Sequence, residues 1–415
     1  MKRLFKSLIC YLLLLSLALS AGGCTRVKAQ DLMAGFKPSE AQVSDEALAA
    51  GSAAAADFTV RLFQKCAEGE GNMFTSPVTA MGVLAMIGNG AEGGTLAQLE
   101  EVLGADIGAL NSFFRGFMAS IDSGNEASLA NSLWLNSAME LDIRDEFLQR
   151  NADGFGAGVY SADLGKNGVD EVNRWAKKST RGMIPKAIDK IDPRTAMIAA
   201  CALAFEAKWE EPYEKGDVLK DLSFTTESGE VRTGVDYMCS DNEHCIETEN
   251  SIGFMKPYKG MRYAFAALLP NEGTSLDELI ASLDAQALTE MLRSPCEEEV
   301  EVRIPKFESE YSAELNSMLM AMGLTDIFDI DRADLSGIGT ADGYTLYLDK
   351  LLQKAYVSVD ENGTKAAAIT FGNMMPQNAE MNTRQVFLDR PFVYMIVDCE
   401  SGVPLFIGAM RDIEK

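Results

Sequence analysis

Residues 361–385 constrain this chain more than any other stretch. A half-buried strand leads into them: Ala355, Val357 and Val359 alternate with Tyr356, Ser358 and Asp360, the period of a sheet with one face in the core. Glu361, Asn362, Gly363, Thr364, Lys365, Ala366, Ala367, Ala368, Ile369 and Thr370 follow, then a segment from Phe371 to Arg384 rich in Asn, Met and Gln. On composition alone an alanine run favours helix. The preceding β alternation and the pivot at Gly363 reverse that preference, because glycine lets the backbone change direction. Small side chains at Thr364, Ala366, Ala367 and Ala368 suit a strand that has to slide between two others. A connection this long inside a compact domain is as a rule functional or disordered, and this one reads as a strand in waiting.

Composition narrows the function classes. Of 415 residues, 47% are hydrophobic and 24% charged, the balance of a globular chain. The 62 acidic and 37 basic side chains give a formal charge of −25, and such a surface repels phosphate backbones, which excludes nucleic acid as a partner. His244 is the only histidine, so a Ser/His/Asp hydrolase or a multi-histidine zinc centre would have to be built around one ring. Beside Glu243 and Cys245 it reads as a surface loop residue. No metal, cofactor or catalytic centre is expected, and the chain is not expected to be an enzyme.

The N-terminus sets the compartment. Lys2, Arg3 and Lys6 precede an apolar run from Leu8 to Leu19, about a dozen residues, too short to span a membrane and suited to a signal-peptide core. Ser20, Ala21, Gly22, Gly23 and Cys24 follow. They resemble the lipobox of bacterial lipoproteins, with Ala21 standing where a leucine is usual. Residues 1–23 are therefore expected to be removed and Cys24 lipidated, which places the protein on the outer membrane or cell surface. Simple secretion or a periplasmic location is the alternative. Residues 24–44 show no apolar period and contain Gly35 and Pro38, as a flexible tether would. Cys66, Cys201, Cys239, Cys245, Cys296 and Cys399 are too sparse for a disulfide scaffold. Cys239 and Cys245 are the pair nearest in sequence and the candidates for a bridge in an oxidising compartment; the rest read as small buried hydrophobes.

Helix and strand signals interleave from residue 45 to 415 without a long linker or internal repeat. Ser44 can cap a helix whose apolar face includes Phe58, Leu62 and Cys66, and Ser76 before Pro77 is a cap followed by a first-turn proline. Val300, Val302 and Ile304 alternate with Glu301 and Arg303, and buried strands are expected at 263–269 and 392–397. The acidic run 297–299 reads as a solvated edge. A helix-rich first half and a strand-rich second half without a break point to one α+β domain built on large sheets.

Taken together, the residues resemble the serpins. Glu361, Gly363, Thr364 and the small residues after them are similar to the hinge of inhibitory members. Asn72, Phe74, Ser76 and Pro77, then Gly90, Ala91, Gly94 and Thr95, resemble the family's second helix and its sequel. Leu129 to Trp134, Asn173, Trp175, Thr180, Gly182 and Ile184, and Phe205, Lys208 and Trp209 continue the match. Pro305, Lys306 and Phe307, Gly323 and Phe328, Ala333 to Ser336, Asp389 to Phe392, and Phe406 with Gly408 complete it.

The resemblance implies a fold of about nine helices and three β-sheets with an exposed reactive-centre loop at about 361–385. It implies inhibition of a serine protease by a suicide-substrate route, with the loop inserting into the main sheet after acylation. Insertion of about fifteen residues adds on the order of 15–20 ladder hydrogen bonds, near 20 kcal/mol at ~1 kcal/mol each. The uninserted form is then a kinetic trap. Family spacing from Gly363 puts the attacked bond at Gln377 and Asn378, with a bond after Ala379 or between Met374 and Met375 as the alternatives. Neutral residues there suit elastase-like or subtilisin-like proteases, with a cysteine protease as a further target class, and the inhibitor itself is expected to be a monomer. Where many serpins place an asparagine and a histidine at the shutter of the main sheet, this chain has Cys201 and Gln353. Ser76, Thr79 and Gln353 are then expected to satisfy one another or a water. Trp209 belongs to the upper gate of the sheet or is a plain core aromatic. The other reading is a non-inhibitory serpin-fold binding protein, cleaved as a simple substrate.

Overall fold

The computed structural model describes residues 29–39, 43–122, 126–341, 344–364 and 384–413. The expected signal peptide 1–23, Cys24, Ala366, Ala367, Ala368, Gln377 and Asn378 lie outside the described residues. Nine α-helices are present among those described: α1 (Asp45–Cys66), α2 (Pro77–Gly88), α3 (Gly93–Leu103), α4 (Ile107–Asp122), α5 (Asp145–Phe155), α6 (Gly168–Ser179), α7 (Leu276–Ser282), α8 (Ala285–Arg293) and α9 (Asn316–Ala321). In chain order the strands are β1 (Gln30–Asp31), β2 (Met73–Thr75), β3 (Ala127–Asn136), β4 (Asp142–Ile143), β5 (Gly158–Ala162), β6 (Met197–Phe205) and β7 (Ala207–Lys208). Next come β8 (Val218–Thr225), β9 (Val231–Thr248), β10 (Ser251–Pro257), β11 (Tyr263–Pro270), β12 (Glu299–Pro305) and β13 (Phe307–Glu314). The last are β14 (Gly339–Thr340), β15 (Lys350–Asp360), β16 (Gly363–Thr364), β17 (Arg384–Phe387), β18 (Phe392–Asp398) and β19 (Val403–Met410).

These strands form three sheets, of eight, nine and two strands, and with the helices they make the expected α+β fold. Across the main sheet the order is β13, β15, β6, β3, β5, β1. The central pair β6 and β15 runs parallel and is bonded from Ile198 opposite Lys350 to Leu203 opposite Ala355. In the nine-stranded sheet β11, β18 and β19 are buried along their whole length. Between the two large sheets lies α2, which packs on β3, β6 and β19 and buries all its residues. A helix apolar all round belongs in such a place. The Ser44 hydroxyl accepts a hydrogen bond from Ala47 N–H at 3.2 Å and caps α1. Ser76 starts α2 ahead of Pro77 but makes no side-chain cap.

Part of the expected tether is instead built into the fold. Gln30 and Asp31 pair with Ser161 and Tyr160 as the edge strand β1, and Leu32 N–H donates to Val159 C=O at 2.8 Å. Farther on, Ser39 N–H donates to Asp153 Oδ1 at 2.7 Å on α5. Leu32, Met33 and Phe36 pack against the core. They are too irregularly spaced to give a periodic signal, yet they bury enough apolar surface to hold the segment.

The cysteine expectation also changes. Cys239 and Cys245 lie on the single strand β9, where six residues of extended backbone separate them by roughly 20 Å, far beyond the reach of a disulfide. All six described cysteines are free thiols. His244 lies on β9 rather than in a loop, exposed and opposite Met255 and Glu299.

Candidate functional site

At the head of the main sheet the central pair opens. Above Leu203 and Ala355, β6 continues into β7 while β15 runs on to Asp360, and the gap between them holds β16. Thr364 pairs with Val359 on one side and Ala207 on the other, and Gly363 with Asp360 and Lys208. The residues expected to form a hinge are thus already the first two residues of an additional strand. Gly363 sits at φ +143°, and a Cβ there would lie 2.1 Å from Ala207 O. Only glycine can make this turn so close to the neighbouring backbone. Thr364 is fully buried, and its hydroxyl lies 2.6 Å from the Tyr258 hydroxyl. Burial pushes the Tyr258 phenol up, against the smaller opposing pull of that contact, so the phenol stays protonated.

The turn between β15 and β16 is held from the opposite side. Trp209 Nε1–H donates to Asp360 O at 2.8 Å, Trp209 N–H to Asn362 O at 3.2 Å and Tyr213 N–H to Glu361 O at 3.1 Å. The Glu361 carboxylate pairs with Lys306 at 2.6 Å. Desolvation pushes that carboxyl up, but the Lys306 ammonium, a backbone N–H and the charge of Lys220 together outweigh it and hold Glu361 below its ordinary value. Trp209 is stacked on Tyr258 with ring centroids 4.5 Å apart and planes 6° from parallel. Lys256 lies under this brace, 4.5 Å from the centre of the Tyr213 ring and 5.7 Å from that of Trp209, where the ring faces attract its charge. Its ammonium pairs with Glu243 at 2.6 Å, and both side chains are nearly fully buried. Loss of either partner would leave an uncompensated charge in the interior.

Lower in the sheet, Gln353 on β15 reaches the start of α2. Its Oε1 accepts from Ser76 N–H at 3.1 Å and from the Thr75 hydroxyl, and its Nε2 donates to Ser76 O at 2.7 Å and Thr79 Oγ1 at 3.1 Å. Cys201, opposite Gln353 across β6 and β15, is only a weak contributor, with Sγ 3.8 Å from Gln353 Nε2. Burial pushes its thiol up to about 11. The polar latch is therefore rebuilt around one glutamine. The structure brings Ser76, Thr79, Cys201 and Gln353 into one cluster and Trp209, Glu361, Gly363 and Thr364 into another.

Sequence reading missed Thr75, Tyr213, Glu243, Lys256 and Tyr258. A lysine directly after the buried Phe254 and Met255 was the available signal for Lys256. The others contribute through contacts across sheets that no local pattern announces.

Comparison with known proteins agrees with this geometry. Residues 53–413 match the family described as Serpin (serine protease inhibitor). The leukocyte elastase inhibitor of Equus caballus is 30% identical over 377 residues, covering 86% of this chain and 98% of that protein. An uncharacterised serpin-like protein of Thermococcus kodakarensis is 29% identical over 86% of this chain and 84% of its own length. Among solved structures, the native state of the thermophilic serpin tengpin superposes with a TM-score of 0.86 at 36% identity, covering 93% of this chain and 100% of that one. The latent state of the same protein gives 0.77 over 91% and 100%. The described residues are thus nearer in shape to a native than to a latent arrangement.

Proposed function

Because the chain belongs to the serpin family, whose members are mostly inhibitors rather than catalysts, we propose that it inhibits a serine protease, once per molecule, by offering residues 361–385 as a false substrate. The observation that carries this reading is the seat of Gly363 and Thr364 between β15 and β7. A chain cleaved as a simple substrate has no need of a strand started in the gap, nor of small residues from Ala366 to Ala368 behind it. After the protease nucleophile forms its acyl-enzyme, the freed segment extends β16 downward between β15 and β6. The attached protease travels with it and loses its active geometry.

The attacked bond is assigned to Gln377 and Asn378. Neutral side chains there favour elastase-like or subtilisin-like enzymes over trypsin-like ones, whose acidic pocket selects Arg or Lys; cysteine proteases are a second class of target. The inhibitor acts as a monomer. Export follows from residues 1–23 and lipidation from Cys24, with attachment to the outer membrane or cell surface. Incubation with an elastase-like and a subtilisin-like protease, followed by denaturing gel electrophoresis, tests the function. A denaturant-resistant complex is expected, with release of a C-terminal fragment beginning at Asn378. Complete cleavage without a complex, by every protease tried, would favour the non-inhibitory reading, and a fragment beginning at Gln385 would overturn the assigned bond.

A further inference from the structure

We propose that Cys245 and Cys296 form a disulfide that clips the strand at the C-terminal end of the reactive segment to its sheet. The two residues meet across neighbouring antiparallel backbones. Cys296 N–H donates to Cys245 O at 2.8 Å, and Cys245 N–H donates to Glu298 O at 3.0 Å. Glu298 is the residue that faces Cys245 in the ladder, and Cys296, three residues ahead of β12, turns its N–H back onto the Cys245 carbonyl. A backbone bond of that length brings the two Cα atoms to roughly 5–6.5 Å, inside the roughly 4.4–6.8 Å that a disulfide spans. Both side chains pack into the same apolar cluster, and the Cys245 thiol, pushed up to about 11 mainly by burial, also feels the Cys296 thiol.

What surrounds the pair gives the bond its role. Two residues beyond each cysteine stands a carboxylate, Glu247 and Glu298, and both hold Arg384, at 2.7 and 3.2 Å. Arg384 Nη1 lies 4.0 Å from Cys245 Sγ. It is the first residue of β17, the edge strand that runs parallel to β12 from Val300 to Arg303. A bond between the two sulfurs fixes the spacing of the carboxylates and so the grip on Arg384.

Cys296 is half-buried and Cys245 fully buried, which sets the order of steps. The Cys296 thiolate attacks an external low-molecular-weight disulfide and releases one thiol. Cys245 then gives up its proton, attacks the Cys296 sulfur and expels the second thiol. The two cysteines lose two electrons and two protons, and the external disulfide is reduced to two thiols.

The role of the bond rests on the inhibitor reading, while its existence does not. The test treats the full chain with oxidised or reduced glutathione, maps peptides without reduction and measures amide exchange in residues 384–387. The expected result is a linked pair of peptides carrying Cys245 and Cys296 in the oxidised sample, with exchange in β17 slowed at least about threefold. Cys296→Ser, at the half-buried position, should lose both effects. Stable glutathione adducts on Cys296, or a link to any other cysteine, would overturn the disulfide, and equal exchange rates with the link formed would overturn the clip. Absence of the link in a protein that still traps a protease would leave the inhibitor reading standing, and a link in a protein that traps none would leave the disulfide standing.

Discussion

The hydroxyl of Tyr258 lies 2.6 Å from that of Thr364, with both side chains fully buried, and this contact joins the nine-stranded sheet to the first inserted residues of the main one. Thr364 needs no new position when the rest of the segment follows it, so the contact serves the native and the inserted forms alike. Tyr258→Phe leaves the threonine hydroxyl without this partner, at a cost of about 1–3 kcal/mol. Thermal midpoints of intact and loop-cleaved protein should fall together while the stoichiometry of inhibition stays at the wild-type value. A raised stoichiometry would mean instead that the bond forms only during insertion.

Substitutions that obstruct the segment should act on the race itself. Thr364→Arg puts a charge into the buried head of the sheet, a penalty of at least about 2–4 kcal/mol. Ala366→Arg tests the same face by strand alternation without disturbing the seat of Thr364. Each ~1.4 kcal/mol added to the insertion barrier slows insertion about tenfold, so deacylation should win and the inhibitor should become a substrate cut at an unchanged bond. Titration against a trapped protease measures this, and a wild-type stoichiometry in Ala366→Arg would exclude insertion.

The hinge is legible in the sequence because its requirements are local. A glycine at a forced turn and small residues after it leave a pattern within a few positions. The shutter is half legible: Gln353, Ser76 and Thr79 follow from family spacing, but Thr75 becomes a partner only because β2 passes beside β15. Tyr258 stands 106 positions from Thr364, and the brace of Lys256, Glu243 and Tyr213 likewise exists only once two sheets are packed. Residues 30–39 mislead in the opposite sense, since Leu32, Met33 and Phe36 have no period and still dock. For the cysteines, closeness in sequence along one extended strand means distance in space, whereas Cys296 reaches the Cys245 carbonyl from the segment that leads into β12.

Gln353 rather than Cys201 should govern how easily the middle of the sheet parts. Gln353→Leu keeps much of the volume but removes the acceptor of Ser76 N–H and Thr75 and the donor to Thr79, at a cost of about 2–4 kcal/mol. Cys201→Ala removes a small thiol and a weak contact, at about 1 kcal/mol. After warming, Gln353→Leu should lose active monomer several-fold faster than wild type, as followed by native gel and residual inhibition, with Cys201→Ala close to wild type. The reverse order would place the latch on the thiol.

The pair of Lys306 and Glu361 gives the head of the sheet a pH dependence whose sign is fixed. Desolvation would raise the Glu361 carboxyl, yet the Lys306 ammonium, with help from a backbone N–H and the charge of Lys220, holds it below its ordinary value of 4.5. A depressed folded-state value means stability that is fully present above the unfolded value and lost as pH falls through the folded one. Lys306→Met removes the partner. The difference in unfolding midpoint between wild type and variant should therefore be constant from pH 8 to about 5.5 and shrink as pH drops below about 4.5, where Glu361 takes up its proton in both. The pair is partly exposed, so added salt should narrow the same difference at neutral pH. A difference unchanged down to pH 3 would show that Lys306 acts through packing of its aliphatic stem, and the turn at Glu361 would then rest on the backbone bonds from Trp209 and Tyr213 alone.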